Sequence, residues 1–281
     1  MTNYCIERKV VINYIMTENN SIQVVFLGTG TSTGVPVVAC DCDVCKSNDR
    51  RDHRLRTSVM VIINGHNYII DCGPDFRYQM IREKVEDISA IIFTHGHRDH
   101  IAGLDDVRAF NYVLNKTVDV YASEDVMNSI RREFPYIFTE KRFFGAPQLD
   151  FHVINNEKFS VNNIEIIPIE VMHHKLKVFG FRIGNFSYVT DANYISEKEK
   201  QKIMGSDVLV INALRKSKHI SHFSLDEAIE IIKEVNPRKA YITHLSHFIG
   251  LHHKIEQSLP ENIFLAYDGL KVAIEQIRQK V

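Results

Sequence analysis

The sequence predicts a layered α/β fold, with sheets in the interior and helices on the outside. Its 281 residues are 44% hydrophobic and 25% charged, which is ordinary for a globular domain and allows a sizeable core. Short β-rich apolar runs are interspersed with segments of helical periodicity, and this pattern favours packed α and β layers. No internal repeat, linker or low-complexity tract divides the chain. We therefore expect one domain over residues 21–281, preceded by an N-terminal extension of residues 1–20.

The expected strands are short runs of apolar residues bounded by turn-forming residues. Asn64-Gly65 joins two of these runs, which is a signal for a tight hairpin. The runs cover Ile22–Leu27, Thr57–Ile63, Asn67–Asp71, Ala90–Thr94, Val118–Tyr121, Ile164–Ile169, Val178–Ile183, Phe186–Thr190, Val208–Asn212, Ala240–Thr243 and Ile263–Ala266.

The expected helices are four segments with helical periodicity. Ser224 and Glu227 have the spacing of a capping box at the start of the last segment. The four segments are Ile101–Val113, Glu124–Phe134, Ser196–Met204 and Ser224–Val235.

Charge, apolar runs and cysteine spacing argue against several classes of protein. The formal net charge is -1, so the chain lacks the overall positive charge that would indicate nucleic-acid binding. The apolar runs are too short to span a bilayer, and the N-terminus lacks the apolar core of a signal peptide. Three of the five cysteines lie within six residues, which indicates metal binding rather than disulfides in such a chain. We expect a cytoplasmic protein without a membrane partner.

The segment from Thr94 to His100 carries four potential metal ligands directly after a buried strand. His95 and His97 are two residues apart, so in extended backbone they point the same way and can bind one ion. Asp99 and His100 lie at the entrance of the next helix, displaced toward a second ion. A solvated polar loop is the alternative, but four such residues at this spacing favour a metal site.

This segment resembles the signature of the metallo-β-lactamase superfamily, whose fold is a four-layer αβ/βα sandwich with one or two metals at a sheet edge. The resemblance extends over residues 22–270, because other motifs follow in the family's order. These motifs are Ile70-Asp71-Cys72-Gly73, Val171-Met172-His173-His174-Lys175-Leu176, Tyr188-Val189-Thr190-Asp191 and Ala240-Tyr241-Ile242-Thr243-His244.

The resemblance implies two active-site metal ions, either Zn or Mn. Asp191 would bridge the two ions, and Asp71 would orient a ligand histidine without touching metal. The adjacent His173 and His174 leave one ligand ambiguous, and we favour His173 for its spacing to the following Lys-Leu pair. One ion would take His95, His97 and His173, and the other would take Asp99, His100 and His244.

Cys40, Cys42 and Cys45 form a Cys-x-Cys-x-x-Cys cluster that needs a fourth ligand to make a structural zinc site. The cluster narrows the resemblance to the PhnP-type phosphodiesterases, in which a similar cluster joins a histidine three residues beyond the last catalytic one. That position is His247 here. A reduced loop without metal is the alternative. Cys72 has no partner pattern and is expected to be a small buried residue.

Three further features are weaker signals. His222 precedes an expected helix and resembles a family histidine near the phosphate, so we expect it to protonate the leaving group, with His219 as a competitor. The glycine-rich stretch 28–34 is not a Walker loop, and in the resembling branch a similar stretch borders the site. His252 and His253 match no motif and are expected to be exposed.

The function that these features predict is hydrolysis of a small, perhaps cyclic, phosphodiester, with Asp99 and His222 as catalytic residues and a metal-bridged hydroxide as the nucleophile. Ribonuclease Z is an alternative within the same family, although the sequence has no basic arm for tRNA, and nucleic acid is therefore not favoured. A non-hydrolytic metal-binding protein like PqqB is a second alternative. The resemblance also suggests a homodimer.

Overall fold

The computed structural model describes residues 21–139 and 145–275. The expected N-terminal extension, residues 1–20, lies outside the described residues. Within them, two mixed sheets face each other and helices cover both outer faces. This arrangement confirms the predicted four-layer αβ/βα sandwich. No helix of the described part is long and apolar enough to cross a membrane.

The first sheet has seven strands in the order β15-β1-β2-β3-β4-β5-β6. The pairs β15-β1, β1-β2 and β2-β3 are antiparallel, and β3 to β6 are parallel. Its strands are β1 (Ser21–Gly28), β2 (Ser58–Ile63), β3 (His66–Ile70), β4 (Ala90–Ile92), β5 (Val118–Ala122), β6 (Leu149–Val153) and β15 (Lys271–Glu275).

The second sheet has the order β11-β8-β9-β10-β12-β13-β14, and β7 pairs with β8. Strands β10, β12, β13 and β14 are parallel. Its strands are β7 (Phe159–Val161), β8 (Ile164–His173), β9 (Leu176–Ile183), β10 (Phe186–Val189), β11 (Tyr194–Ile195), β12 (Val208–Asn212), β13 (Lys239–Thr243) and β14 (Ile263–Leu265).

Seven α-helices are described, and they pack on the outer faces of the two sheets through separate apolar clusters. Ser224 and Glu227 form both hydrogen bonds of the predicted capping box. The helices are α1 (Phe76–Glu83), α2 (Arg98–Ile101), α3 (Arg108–Leu114), α4 (Glu124–Glu133), α5 (Glu197–Ile203), α6 (Leu225–Val235) and α7 (His252–Glu256).

The expected helix Ile101–Val113 is wrong as a single element, because α2 and α3 are separated by a 3-10 turn at Leu104–Val107. Gly103 explains the break. A Cβ atom at Gly103 would lie 2.1 Å from the carbonyl oxygen of Gly73, so the chain must pass close to the loop after β3 here. The same approach brings the backbone N–H of Gly103 to 2.8 Å from the carbonyl oxygen of Cys72. Cys72 is fully buried, as expected.

Candidate metal centres

The predicted ligands converge at one edge of the sandwich, where strands of both sheets end. Asp71 follows β3, the segment 95–100 follows β4, and His173 is the last residue of β8. Asp191 follows β10 and His244 follows β13. The carboxyl ends of these strands share one edge, which is where ligands bind in α/β sheets.

Three of these strand ends have an unusual backbone conformation. Asp71, Asp191 and His244 have φ angles of 66°, 54° and 58°, in the left-handed region that side chains other than glycine rarely adopt. Such conformations cost on the order of 1–3 kcal/mol each and concentrate at functional sites.

Asp71 holds the histidine segment in place through three hydrogen bonds. Its Oδ1 accepts from the backbone N–H of Thr94 at 2.8 Å, and its Oδ2 accepts from the Thr94 hydroxyl at 2.8 Å. The same Oδ2 lies 2.7 Å from Nδ1 of His100. Because Nδ1 of His100 is engaged, only Nε2 of that ring is left for a metal. Asp71 therefore occupies the orienting position expected from the sequence.

The first group of potential ligands consists of His95, His100 and Asp191, whose ligand atoms lie within 4.8 Å of one another. Nε2 of His100 is 3.3 Å from Oδ2 of Asp191 and also 3.3 Å from Oδ2 of Asp99. The neighbouring His97 places its Nδ1 3.0 Å from Nε2 of His95. All four residues of the predicted motif thus face one small volume.

The second group consists of His173, Asp191 and His222, again within 4.8 Å. Nδ1 of His173 faces the carbonyl oxygen of Ser221 at 2.9 Å, which leaves its Nε2 for a metal. The Asp191 carboxylate also lies close to His244, with 3.1 Å between Oδ2 of Asp191 and Nδ1 of His244. Asp191 is common to both groups, which is the arrangement that a bridging ligand requires. The presence of His222 in the second group was not expected from sequence.

The structure separates the two adjacent histidines of the β8–β9 turn. The ring of His173 lies 5.1 Å from that of His97 and 4.7 Å from that of His222, centroid to centroid. His174 is exposed, has a φ of 56°, and donates its backbone N–H to Oδ1 of Asn193 at 2.7 Å. His173 is therefore the histidine at the site.

Orphaned polar atoms test whether these residues fit a metal. Nε2 of His100, Nδ1 of His222 and Nδ1 of His244 are buried without a hydrogen bond, which a folded protein normally avoids. Burial lowers the pKa of His95 well below its usual value, and it lowers the pKa of His222 to about 3. His222 and His244, whose pKa values burial lowers, are neutral imidazoles with unused nitrogens beside a carboxylate, and such groups are suitable donors for a divalent metal ion. The residues fit the ions that the family implies.

The carboxylates of the site are held in their ionised form. For Asp191, burial alone would raise the pKa, but His244 and His100 outweigh it and the pKa falls well below its usual range. For Asp99, burial also acts to raise the pKa, and His100 again reverses the direction. Ionised carboxylates next to imidazoles can bind cations without first losing a proton.

The cysteine cluster forms a third group of potential ligands, separate from the two histidine groups. Nδ1 of His247 lies 3.3, 3.4 and 3.5 Å from the Sγ atoms of Cys40, Cys42 and Cys45. A tetrahedral zinc site with bonds of about 2.3 Å to sulfur and 2.0–2.1 Å to nitrogen has S–N edges of about 3.5 Å. The four residues paired by sequence reasoning thus have the spacing of a structural zinc site.

This cluster joins two segments that border the two histidine groups. Cys40, Cys42 and Cys45 belong to the long loop between β1 and β2, and His247 lies three residues after His244. The backbone N–H of Cys45 lowers the pKa of Cys42 to about 6, whereas burial raises the pKa of Cys45 to about 11. One thiol is thus prepared to ionise, and metal binding would displace the remaining protons.

One expectation outside the metal ligands needs revision. His252 is fully buried, so its expected exposure is wrong. Its Nδ1 lies 3.1 Å from Nη2 of Arg54, and its Nε2 lies 2.8 Å from Glu256. The partner Glu256 four residues along the helix was the sequence signal for this role. His253 is exposed, as expected.

The glycine-rich stretch is explained by packing. Cβ atoms at Gly28 and Gly30 would lie 1.9 Å from the carbonyl oxygen of Arg56 and 2.9 Å from Arg54, respectively. These glycines therefore let the stretch lie against the segment before β2. The neighbouring Thr31 donates its backbone N–H to Leu245 at 3.1 Å, beside His244.

Comparison with known proteins places the site in a family. Residues 66–245 match the model of the beta-lactamase superfamily domain. A crystal structure described as a new diphosphatase from the PhnP family superposes with a TM-score of 0.86 at 38% identity, covering 91% of this chain and 98% of that chain. Zn²⁺-bound PqqB from Methylobacterium extorquens shares the fold, with a TM-score of 0.73 at 18% identity over 89% of this chain and 99% of that chain.

Among curated proteins, an octanoyltransferase of Porphyromonas gingivalis is 36% identical over 255 residues, which is 90% of this chain and 51% of that protein. A ribonuclease Z of Nostoc sp. is 27% identical over 169 residues, 58% of this chain and 46% of that protein. The chain spans about half the length of these curated relatives. The family match and the PhnP-family structure show that the chain belongs to the metallo-β-lactamase superfamily, in its PhnP-like branch.

Proposed function

We propose that this protein is a dinuclear metal-dependent hydrolase that cleaves small phosphodiesters, cyclic ones included. The observation that carries the proposal is the position of Asp191, whose carboxylate lies within ligand distance of both histidine groups. A carboxylate shared between two ligand groups is characteristic of two-metal sites, which suit in-line displacement at phosphorus.

The proposed ligand sets follow the family pattern and cut across the two groups described above, because His95 and His100 would serve different ions. His95, His97 and His173 would hold one ion, and Asp191 would serve both. When bound, the ions would supply Lewis acidity and lower the pKa of a water toward neutrality. The second ion would be held by Asp99, His100 and His244.

Asp99 is proposed to have a catalytic role as well as a ligand role. Its side chain is 15% exposed, against 3% for Asp191 and none for Asp71. Asp99 is therefore the carboxylate of this set that a water molecule reaches most easily, and it can accept a proton from that water.

His222 is proposed to act on the phosphate and the leaving oxygen. Its Nδ1 lies 3.8 Å from Oδ1 of Asp191, and its ring lies 4.7 Å from His173 and 4.8 Å from His244. From this position the ring N–H of the neutral imidazole can donate a hydrogen bond to a phosphate oxygen or to the departing oxygen, and thereby stabilise the charge that develops there.

The comparisons support a small substrate over a nucleic acid. The PhnP-family diphosphatase is similar over nearly its whole length, whereas the ribonuclease Z match covers 58% of this chain at lower identity. The formal net charge of -1 also does not favour a polyanion. The octanoyltransferase of Porphyromonas gingivalis gives no support for acyl transfer by this chain, because the matched region is about half of that protein.

Turnover of bis(p-nitrophenyl) phosphate by the metal-loaded protein tests the proposal. We expect about three ions per chain, one of them bound by thiolates, and loss of turnover in Asp191→Ala. Asp119→Ala, a change at an exposed carboxylate of β5, is the matched control and should keep the activity. The assignment fails if the metal-loaded protein has no phosphodiesterase activity. A parallel screen of cyclic nucleotides, cyclic sugar phosphates and pre-tRNA would separate the small-substrate function from the nuclease function.

A further inference from the structure

Arg54 is a buried cation in the segment between the cysteine cluster and β2. It is 3% exposed, and burial lowers its pKa only to about 10, so it stays charged at neutral pH. Its guanidinium forms no ion pair within the described part of the chain and donates instead to three uncharged groups. These are the Thr29 hydroxyl at 2.9 Å, the Ala266 carbonyl at 2.6 Å and Nδ1 of His252 at 3.1 Å. A buried cation without a counter-charge is costly, so a specific role is expected of it.

The guanidinium of Arg54 joins three segments that are far apart in the sequence. Thr29 follows β1, Ala266 follows β14 and His252 opens α7. An arginine presents its N–H groups in a rigid planar fork, and the ammonium group of a lysine cannot reproduce that geometry. Arg54 therefore fixes the positions of the three segments relative to one another.

Thr29 connects Arg54 to a candidate metal ligand. The Thr29 carbonyl accepts from the backbone N–H of Leu245 at 2.9 Å, and the Leu245 carbonyl accepts from the backbone N–H of Thr31 at 3.1 Å. Leu245 directly follows His244, whose φ of 58° lies in the left-handed region. Both backbone groups of Leu245 are thus bound to the stretch that Arg54 holds. The place of the His244 ring at the metal position therefore depends on that stretch.

His252 connects Arg54 to the other end of the same segment. Residues 244–252 carry both His244 and His247, the candidate ligand of the cysteine cluster. At the far end the backbone N–H of His252 donates to Oδ1 of Asp52 at 2.7 Å, in the 3-10 turn that follows the cysteine loop. Arg54 thus braces at both ends a segment whose histidines serve different metal centres.

We propose that Arg54 is a positioning residue for the metal centre of the histidine groups and acts on His244 through Thr29. The inference rests on the proposed function for the role of that centre, but it concerns metal affinity and is tested without turnover. When the guanidinium is lost, the stretch around Thr29 is held less firmly. His244 must then be ordered as the metal binds, and this ordering lowers the affinity.

The test is calorimetric titration of the stripped protein with Mn²⁺, after one equivalent of Zn²⁺ has filled the cysteine cluster. Mn²⁺ is used because thiolates select zinc over manganese, so the titration reports the histidine groups. Arg54→Lys keeps the charge but not the fork, and should weaken Mn²⁺ binding by roughly three- to tenfold.

Arg182→Lys is the matched control. Arg182 also donates to main-chain carbonyls, those of Lys202 and Met204, and it lies near the end of β9 that is farthest from His173. This variant should change the Mn²⁺ affinity by less than about twofold.

A second pair of variants tests the path through Thr29. Thr29→Val removes the hydroxyl at nearly constant volume and should weaken Mn²⁺ binding as Arg54→Lys does, whereas Thr29→Ser keeps the hydroxyl and should restore the affinity. The combination of Arg54→Lys with Thr29→Val should weaken binding no further than the more damaging single change, because both remove one contact. The Thr29 pair decides the question if Arg54→Lys does not fold.

The outcomes separate this inference from the proposed function. A lower free energy of unfolding in Arg54→Lys with unchanged Mn²⁺ affinity would assign Arg54 to stability alone and overturn the inference. Equal affinities of Thr29→Val and Thr29→Ser, or additive effects in the double variant, would overturn the path through Thr29. Mn²⁺ binding without phosphodiesterase turnover in the unaltered protein would remove the hydrolase and leave the positioning role of Arg54 standing.

Discussion

Asp71 and His100 are completely buried, and Oδ2 of Asp71 lies 2.7 Å from Nδ1 of His100. Burial alone would lower the pKa of His100, but the carboxylates of Asp191, Asp71 and Asp99 raise it well above its usual value. The pair thus fixes the ring while the opposite nitrogen faces the metal position. The contribution of this pair to metal affinity can be measured by substituting Asp71, whose side chain contacts His100 and not the metal position.

Asp71→Asn should weaken metal binding at the His100 position by about 10- to 100-fold, because an amide orients the ring without the negative charge. Metal titration of the stripped protein, followed by calorimetry, gives this affinity. The control is Asp119→Asn, since Asp119 and His152 form an exposed pair with the same 2.7 Å distance. Equal effects of the two substitutions would contradict an orienting role for Asp71.

His173→Ala should reduce kcat/KM for bis(p-nitrophenyl) phosphate by roughly 100-fold or more, because it removes a side chain of the second ligand group. His174→Ala should change it by less than about twofold, since exposed side chains contribute little. Steady-state kinetics on both variants measures the difference. The assignment of the ligand would have to be exchanged if His174→Ala were the more damaging change.

Cys45→Ala should remove one zinc ion per chain and lower the Tm by several degrees, because thiolate-bound zinc contributes directly to folding. Elemental analysis and thermal unfolding measure both effects. Val44→Ala is the control for lost packing, since Val44 belongs to the same small apolar cluster but cannot bind metal. Retention of the full zinc content by Cys45→Ala would show that the cysteine cluster is not a zinc site.

Asp268 predicts a pH dependence of stability. Burial raises its pKa to about 6, although Leu55 N–H and the Thr29 hydroxyl donate to its carboxylate. A raised carboxyl pKa means that the folded state binds the proton more tightly than the unfolded state. Its contribution to stability is therefore present below about pH 4 and is lost as the pH rises through 6.

The measurement is the free energy of unfolding in urea at several pH values, for the unaltered protein and for Asp268→Asn. From pH 4 to pH 7 the free energy of unfolding of the unaltered protein should fall by up to about 3 kcal/mol relative to that of Asp268→Asn. Metal-free samples avoid contributions from the metal centres. A difference that does not vary with pH would show that the pKa of Asp268 is not raised.

The candidate metal ligands could be proposed from sequence because their signals are local. His95, His97, Asp99 and His100 lie within six residues, and Cys40 to Cys45 form a similar compact pattern. The preference for His173 over His174 rested only on the spacing to the following Lys-Leu pair, since local sequence does not show which side of the turn each of two adjacent residues occupies. The place of His222 beside Asp191 likewise depends on how the loop before α6 folds back.

The missed elements of the fold had weak or overlooked signals. Helix α1 lacks a side-chain cap at Asp75 and leaves Tyr78 and Ile81 exposed, so its periodicity is poor. Strand β15 does alternate buried and exposed residues, and this pattern could have been found. The break in the expected helix at Gly103 depends on the distant Gly73, which no local pattern reveals.

The left-handed residues Asp71, Asp191 and His244 have a consequence for how such a protein can change over time. The residue after each of them is fully buried, and its backbone N–H donates to another segment: Cys72 to His100, Ala192 to Asn212 and Leu245 to Thr29. Changes in length or sequence next to these side chains would therefore disturb the ligand edge, whereas changes further along the loops can be accommodated. Variation in selectivity is thus expected to arise away from the strand ends that position the ligands.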